Sequence, residues 1–307
     1  MKCILCNGEN LELITKLNKD SLCLLYKKAL NINISNLITA NINYFNCKDC
    51  DLKFFVDENG NIPTGDNDFY NSLNKLDWYY FSEKSEYHYA KKFINKDSKV
   101  LEVGCGKGAF VKFMPKEARD NYVGLEFSTQ AKIMAQKDGI KIENISIEEY
   151  AKDNQNRFDI ACSFQVLEHI SNPFSFIQSQ IKCLNGGGRL IIGIPSEDSF
   201  LQYCVNGILN MPPHHISRFS DKTLNKIAEI FNLDLLDLYH EKIQKEHFDF
   251  YKTTIWAKRI LPTPLIDTGL KRKLVNRFGR LVKPFMKIPD DEYGHTVVAV
   301  YKIKPNS

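Results

Sequence analysis

Three groups of residues in this chain have the types and spacing to do chemistry. The first is Glu102-Val-Gly-Cys-Gly-Lys-Gly108, followed further along by the carboxylate of Glu126 at the end of Tyr122-Val-Gly-Leu-Glu126. Glycine at alternate positions lets the backbone turn sharply and approach a ligand with no Cβ in between. An acid ending the next strand is where a doubly wound sheet holds the two hydroxyls of a ribose. Loop and acid together predict a nucleoside-containing cofactor. The second group is Cys3-x-x-Cys6 and Cys47-x-x-Cys50. Two such pairs offer four thiolates, which close a tetrahedral zinc site with no position left for water or substrate. Such a metal holds structure and does no chemistry. Four unrelated thiols, or a single redox pair, are the other readings. The third group is His169 and the pair His214-His215 behind Pro212-Pro213, imidazoles that could take a proton from a reacting group. Exposed imidazoles after a Pro-Pro turn have few structural duties, which favours His214 and His215 as bases, whereas His169 also suits fixing its loop.

These groups need a scaffold that brings strand ends together. Strand patterns fall at 99–103, 122–126, 141–143, 158–164 and 189–194, with helical patterns at 128–138 and 173–184 between them. A helix is expected to open near Lys107. Alternation of this kind predicts a parallel sheet covered on both faces, with the ligand crevice at the carboxyl ends of the strands. Further on, Ser220 reads as the N-cap of an amphipathic helix over 221–231, and strands at 233–239 and 296–303 are expected to pair antiparallel. With 307 residues, 43% hydrophobic and 25% charged, the chain has the composition of a soluble globular protein with a full core. Its apolar runs are all far shorter than a membrane-spanning helix requires, so none is expected. Met1-Lys-Cys-Ile-Leu-Cys6 lacks the pattern of a secretory signal. Nine cysteines without such a signal point to a reducing compartment and a cytoplasmic location. Cys23, Cys105, Cys162, Cys183 and Cys204 read as small core or loop residues.

The G-x-G-x-G spacing departs from the G-x-G-x-x-G of pyrophosphate-binding dehydrogenases. With Gly124-Leu-Glu-Phe-Ser128, Ser146-Ile-Glu148, Phe158-Asp-Ile-Ala-Cys-Ser-Phe-Gln-Val-Leu-Glu-His169 and Gly187-Gly-Arg-Leu-Ile-Ile-Gly-Ile-Pro195 following in order, the chain resembles class I S-adenosylmethionine-dependent methyltransferases. The resemblance covers roughly residues 90–242 plus a last strand. A dehydrogenase stays open beside it. What the resemblance implies is an α/β fold, a doubly wound Rossmann-like sheet of seven strands. Glu102, Gly104, Cys105, Gly106 and Gly108 would face the methionine end of the cofactor. Glu126 would take the ribose, Ser146 and Ile147 would border the adenine, Ser163, Phe164 and Gln165 would lie beneath the sulfonium, and Phe127 would be a further cofactor contact. Gln165-Val-Leu-Glu-His169 is also similar to quinone-biosynthesis O-methyltransferases, in which a further acid can precede Glu-His and serve a divalent metal. Here that position is the neutral Gln165, which weighs against a catalytic metal. A four-cysteine module ahead of such a domain resembles deoxysugar C-methyltransferases and sugar-modifying enzymes linked to surface polysaccharides. The stretch from Pro212 to Ser220 has the same character, although the chain is shorter than those enzymes and their separate C-terminal domain is not expected in it.

The expected organisation is a zinc-ribbon-like module at 1–60, an aromatic helical lead-in or lid at 61–97, and the cofactor-binding domain at 98–307. Trp78-Tyr-Tyr-Phe81 and Tyr87-His-Tyr89 supply the aromatic rings of the lead-in. A basic insertion at about 243–294 interrupts the last domain. From Tyr251 to Lys287 it holds ten Lys or Arg and one acid, Asp267. Leu270, Leu274, Phe278, Leu281 and Phe285 recur there at helical spacing among Lys271, Arg272, Lys273, Arg277 and Arg280. A basic amphipathic helix can lie on an anionic membrane through 265–287, meet nucleic acid, or be a solvated cap. Aromatic rings for base stacking are too sparse to favour nucleic acid. The chain therefore reads as a methyltransferase for a small or carrier-linked sugar or related metabolite of cell-envelope polysaccharide synthesis. It would be cytoplasmic, or peripheral at the inner membrane face. An RNA methyltransferase, and a non-catalytic cofactor-binding module that recruits a partner through the zinc unit, are the rival readings.

Overall fold

The computed structural model describes residues 1–73, 75–76 and 83–304. The first elements are β1 (Leu11–Leu17), α1 (Lys19–Leu30), β2 (Ile42–Cys47), β3 (Lys53–Asp57) and α2 (Asn67–Leu73). After α3 (Ser85–Ala90) come β4 (Val100–Val103), β5 (Tyr122–Leu125), α4 (Thr129–Lys137), β6 (Ile142–Glu143) and α5 (Ile147–Asp153). Then follow β7 (Phe158–Phe164), α6 (Pro173–Cys183), β8 (Leu184–Pro195), β9 (Ser217–Arg218) and α7 (Asp221–Ile230). The last elements are β10 (Leu233–Lys242), α8 (Phe248–Lys258), α9 (Leu270–Val282) and β11 (Tyr293–Ile303).

Seven strands form one sheet in the order β10-β11-β8-β7-β4-β5-β6. The strands β4 to β8 in it run parallel, and β11 inserts antiparallel between β8 and β10. This is the expected doubly wound α/β architecture, and 233–239 does pair with 296–303, Leu233 opposite Ile303. Every residue of β4 and β5 is buried, as near-continuous apolar runs covered on both faces should be. The Ser220 hydroxyl accepts from Thr223 N–H and caps α7. Two local expectations fail. No α-helix opens at Lys107: the loop leads into a 3-10 turn, Ala109–Phe113, and Met114 is extended (ψ 154°) ahead of Pro115. A residue before proline is pushed out of the helical region, so the turn cannot lengthen. And β8 begins at Leu184, ahead of the expected Arg189, because an irregularity between Phe158 and Ile160 absorbs the triple glycine.

The second sheet is antiparallel, β1-β2-β3-β9. Its last strand comes from the far end of the chain: Lys53 pairs with Arg218, and Phe54 with Ser217. Other bonds reinforce the join. Tyr26 Oη donates to the carbonyls of Ile208 and Met211 (2.7 and 3.0 Å), and Ser220 Oγ donates to Asp51 (2.6 Å). Buried Glu197 takes Lys53 Nζ at 2.9 Å and faces the Arg218 guanidinium, which lies over the rings of Tyr44 and Phe55. Leu5, Leu52 and Phe54 share one core with Leu101, Leu190 and Phe219. Truncating the fully buried Phe54 to Ala would cost about 3–5 kcal/mol. The aromatic lead-in divides. Trp78, Tyr79, Tyr80 and Phe81 lie outside the described residues. Tyr87 packs on Phe110 and Phe164, and Tyr89 stacks on Tyr239, their centroids 4.1 Å apart.

The insertion between β10 and β11 is a helix pair. α9 turns Gly279 toward Trp256 of α8, where an added Cβ would come within 2.7 Å of the indole. Trp256 Nε1 donates to Val275 O (3.2 Å) on the same face. The face turned from α8 carries Leu270, Leu274 and Leu281, 72, 57 and 67% exposed; Phe278, 56% exposed, touches Trp256 from its edge, and Phe285, 86% exposed, follows in the turn Lys283–Phe285. Lys271, Lys273, Arg277 and Arg280 flank that stripe in solvent. Arg272 does not belong with them. It is 3% exposed, pairs with Asp267 at 3.0 Å and donates to the Pro262 carbonyl, so it anchors the helix instead of meeting a ligand. Among the described residues no helix is long and apolar enough to cross a membrane.

Candidate active site

A cleft of about 2380 Å³ opens along the carboxyl edge of the large sheet. Ligand pockets are commonly about 300–1,000 Å³, so this one has room for two molecules side by side. One end is built by the turn after β4. Gly104, Gly106 and Gly108 have φ of 72°, 54° and 73°, the left-handed region that favours glycine. At Gly104 a Cβ would also sit 2.5 Å from Val166. Glu126 lies against this turn, its two oxygens accepting from Gly106 N–H (2.9 Å) and Ser128 N–H (2.8 Å). Both oxygens keep a further lone pair for a hydroxyl. Gly104, Cys105, Gly106, Glu126, Phe127, Ile147, Phe164 and Gln165 all line the cleft. Gln165 has φ 58°, uncommon outside glycine, and bonds Glu86 Oε1 at 3.3 Å.

Glu102, Gly108, Ser146 and Ser163 were expected with them and are not on the cleft lining. Glu102 is buried and accepts from Tyr122 Oη at 2.6 Å; burial pushes its carboxyl up to about 8, against the lowering by that bond. Gly108 packs on Ile140, Ser146 caps α5 through Glu149 N–H, and Ser163 is 1% exposed.

The other end of the cleft gathers His169, His214 and His215. One ring nitrogen of each lies within 4.8 Å of the others. His214 and His215 are not the exposed side chains that the Pro-Pro turn suggests: they are 5 and 9% exposed. The chain after the turn runs inward to pair as β9 with β3, which folds both rings under it. Each Nδ1 is committed to an oxygen: His169 to the His214 carbonyl (2.7 Å), His214 to the Leu209 carbonyl (2.8 Å), His215 to Asn210 Oδ1 (3.2 Å). A carbonyl can only accept, so Nδ1 carries the proton and Nε2 is the basic atom. Burial lowers all three, His169 to about 4 and the pair well below the ordinary value. Beside them lies Glu168, 1% exposed, its Oε1 3.7 Å from His169 Nε2 and 3.8 Å from His215 Nε2. Burial raises it to about 8, and among the described residues neither oxygen has a hydrogen-bond partner. All three imidazoles are thus unprotonated at neutral pH, and burial also makes them weaker bases than an exposed imidazole.

A family model described as a methyltransferase domain matches residues 80–238, just over half of the chain. The chain belongs to this methyltransferase family. Its α/β fold with one seven-stranded sheet is the fold of such a methyltransferase domain. Curated relatives match only parts of the chain. A ubiquinone biosynthesis O-methyltransferase of Aliivibrio fischeri is 35% identical over 98 residues, 30% of this chain and 42% of that protein. The mitochondrial one of Dictyostelium discoideum is 29% identical over 163 residues, 45% of this chain and 50% of that protein. The methyltransferase thus spans about half the length of the curated relatives it matches. Among solved structures, a SAM-dependent methyltransferase from Archaeoglobus fulgidus is similar at a TM-score of 0.47 and 15% identity, over 69% of this chain and 88% of that one.

In this methyltransferase the four N-terminal cysteines come together. Cys3 and Cys50 sulfurs are 3.5 Å apart, as are those of Cys6 and Cys47, and all four lie within 4.8 Å. Zn–S bonds of about 2.3 Å in a tetrahedron put sulfurs about 3.8 Å apart, so the set fits a metal with small adjustment. Each knuckle closes the same way: Asn7 and Asp51 sit at φ 59° and 66°, and their N–H groups bond back to Cys3 and Cys47. Gly8 N–H points at the Cys6 sulfur (3.4 Å). The sequence reading missed Tyr70, Glu86, Glu168, Glu241, His247 and His295, which also line the cleft. Glu168 stood inside a motif already singled out. His295 could have been found from topology, since an antiparallel β11 must start at the carboxyl edge.

Proposed function

We propose that this methyltransferase transfers a methyl group to a small or carrier-linked sugar, or a related metabolite, of cell-envelope polysaccharide synthesis. The observation that carries the reading is the single cleft joining the Gly104–Glu126 turn to three imidazoles with basic Nε2 atoms. Bound S-adenosylmethionine supplies an electrophilic methyl on a sulfonium. Glu126 would hold the ribose hydroxyls, Ile147 and Phe127 would border the nucleoside, and the turn would admit the methionine end. Phe164 and Gln165 at the end of β7 would face the reacting centre. His215 or His169 would take the acceptor's proton on Nε2, with Glu168, protonated at neutral pH, beside them. Zinc in the Cys3, Cys6, Cys47 and Cys50 set would stiffen the N-terminal module at 1–60, and through β3 and β9 the loop that carries His214 and His215.

The exposed stripe of α9 supports a second element of the reading, an anionic membrane surface as partner. Five apolar side chains in solvent between four cations match a lipid interface in shape and charge. It would bring a lipid-borne acceptor to a cleft whose wall includes Phe250 of α8. The name of the curated relatives favours another acceptor, an oxygen on a quinone precursor. Reactions with methyl-labelled S-adenosylmethionine and separate pools of sugar nucleotides, lipid-linked saccharides and quinone precursors decide between them. Label in a saccharide pool is expected. Label only in the quinone pool would move the substrate to the second reading, and label in neither would overturn both.

A further inference from the structure

Glu241, His247 and His295 form a second cluster on the same cleft, and methyl transfer as proposed makes no use of it. They come from the end of β10, the short turn Lys245–His247 and the start of β11, and one donor atom of each lies within 4.8 Å of the others. Glu241 is 3% exposed and held from behind: one oxygen accepts Thr296 N–H (3.1 Å), the other the Ser85 hydroxyl. His295 Nδ1 lies 2.8 Å from the first oxygen, yet its geometry makes no hydrogen bond. His247 Nδ1 is likewise sealed from solvent without a partner. The two rings stand at 87°, centroids 4.4 Å apart. A nitrogen and a carboxylate oxygen at this separation, side by side and not as donor and acceptor, are placed as two ligands of one ion would be.

Charge points the same way. Glu86, 3% exposed, shares the Ser85 hydroxyl at 3.4 Å, so two buried carboxylates meet at one donor. Among the described residues no lysine or arginine nitrogen lies within 4.0 Å of either. Among those residues His295 can neutralise Glu241, and only when protonated, whereas a bound cation would offset the cost of burying both carboxylates. We propose that Glu241, His247 and His295 bind a divalent transition-metal cation. Two imidazoles and a carboxylate suit such an ion and leave coordination positions open on the cleft side. The Ser85 and Thr296 bonds fix the carboxylate as supporting bonds around metal ligands do. The ion would hold an oxygen-bearing acceptor (hydroxyl, carboxylate or phosphate) on the wall that Gln165 reaches through Glu86.

This inference deepens the reading of the cleft as the acceptor site, but its test needs no acceptor. Manganese(II) suits carboxylate better than thiolate ligands, which keeps the four-cysteine site out of the titration. Titrating the full chain with Mn²⁺, and following the free ion by electron paramagnetic resonance, should show one saturable site. His295→Ala and His247→Ala should each weaken it by at least about tenfold. Cys47→Ser and His214→Asn should leave it, and S-adenosylmethionine calorimetry on each variant reports folding. If His295→Ala proves unfolded, Glu241→Gln and His247→Asn carry the test. Absence of saturable binding, binding that survives loss of both histidines, or binding lost only with His214 would overturn the proposal.

Discussion

The two ends of the cleft are built on different principles. The end proposed to hold the cofactor comes from one local unit between Val100 and Glu126: β4, a turn of three left-handed glycines and the acid after β5. Its bonds are short in sequence as well as space, Glu126 to Gly106 and Ser128 above all. The end proposed for the acceptor is assembled from segments far apart. His169 follows β7, His214 and His215 precede β9, and β3, the strand that fixes β9, belongs to the N-terminal module. The difference teaches that cofactor binding and acceptor chemistry can fail separately. Strand pairing and hydrogen bonds tie the N-terminal module to the second, while with the first it shares only apolar core around Leu101.

Replacing His214 and His215 together with Asn should reduce turnover by about 10²–10⁴, the usual worth of a positioned base, while cofactor affinity measured by calorimetry changes little. Comparable loss of cofactor binding would break the contrast. The same trio fixes the pH behaviour. Burial lowers His169 to about 4, so it stays unprotonated well below the ordinary value, and turnover should show no step near 6.5. The unfolded chain takes up this proton at about 6.5 and the folded one only at about 4, so stability is lost as pH falls through that window. A change of melting temperature between about pH 6.5 and 4.5 that is the same in wild type and the His169→Gln variant would contradict it, since Glu168 and Glu102, raised to about 8, act in the opposite sense in both. Next in size, Glu126→Ala removes a charge-assisted acceptor and should weaken S-adenosylmethionine by about 1.5–3 kcal/mol, roughly ten- to hundredfold. Unchanged affinity removes Glu126 from the site. The smallest effect belongs to α9. Arg277→Gln should cost about 1 kcal/mol, near fivefold, in affinity for anionic vesicles at low salt, and nothing in cofactor affinity. Vesicle binding that is absent, or indifferent to added salt, would leave α9 a solvated cap.

Much of the cofactor end was legible in the sequence because it is local. The glycine spacing, the apolar strand patterns and the position of Glu126 all fall within reach of one another. The acceptor end was legible only in its parts. His214 and His215 were found, but their exposure was misjudged, because β9 is a two-residue strand whose partner β3 lies far up the chain. Arg272 was counted with the surface cations because spacing cannot show that Asp267 and the Pro262 carbonyl turn it inward. Helix periodicity gave α9 an apolar face, and whether that face is buried is a tertiary fact that no local pattern contains.

The central claim is that the four-cysteine module holds the acceptor end and not the cofactor end. Cys47→Ser tests it most directly, with metal content, S-adenosylmethionine calorimetry and turnover measured on one preparation. The account predicts about one zinc per chain in wild type and its loss in the variant, turnover reduced by about a hundredfold or more, and cofactor affinity within about threefold of wild type. A variant that loses the metal and keeps full turnover, or one whose cofactor binding collapses along with it, would contradict the account.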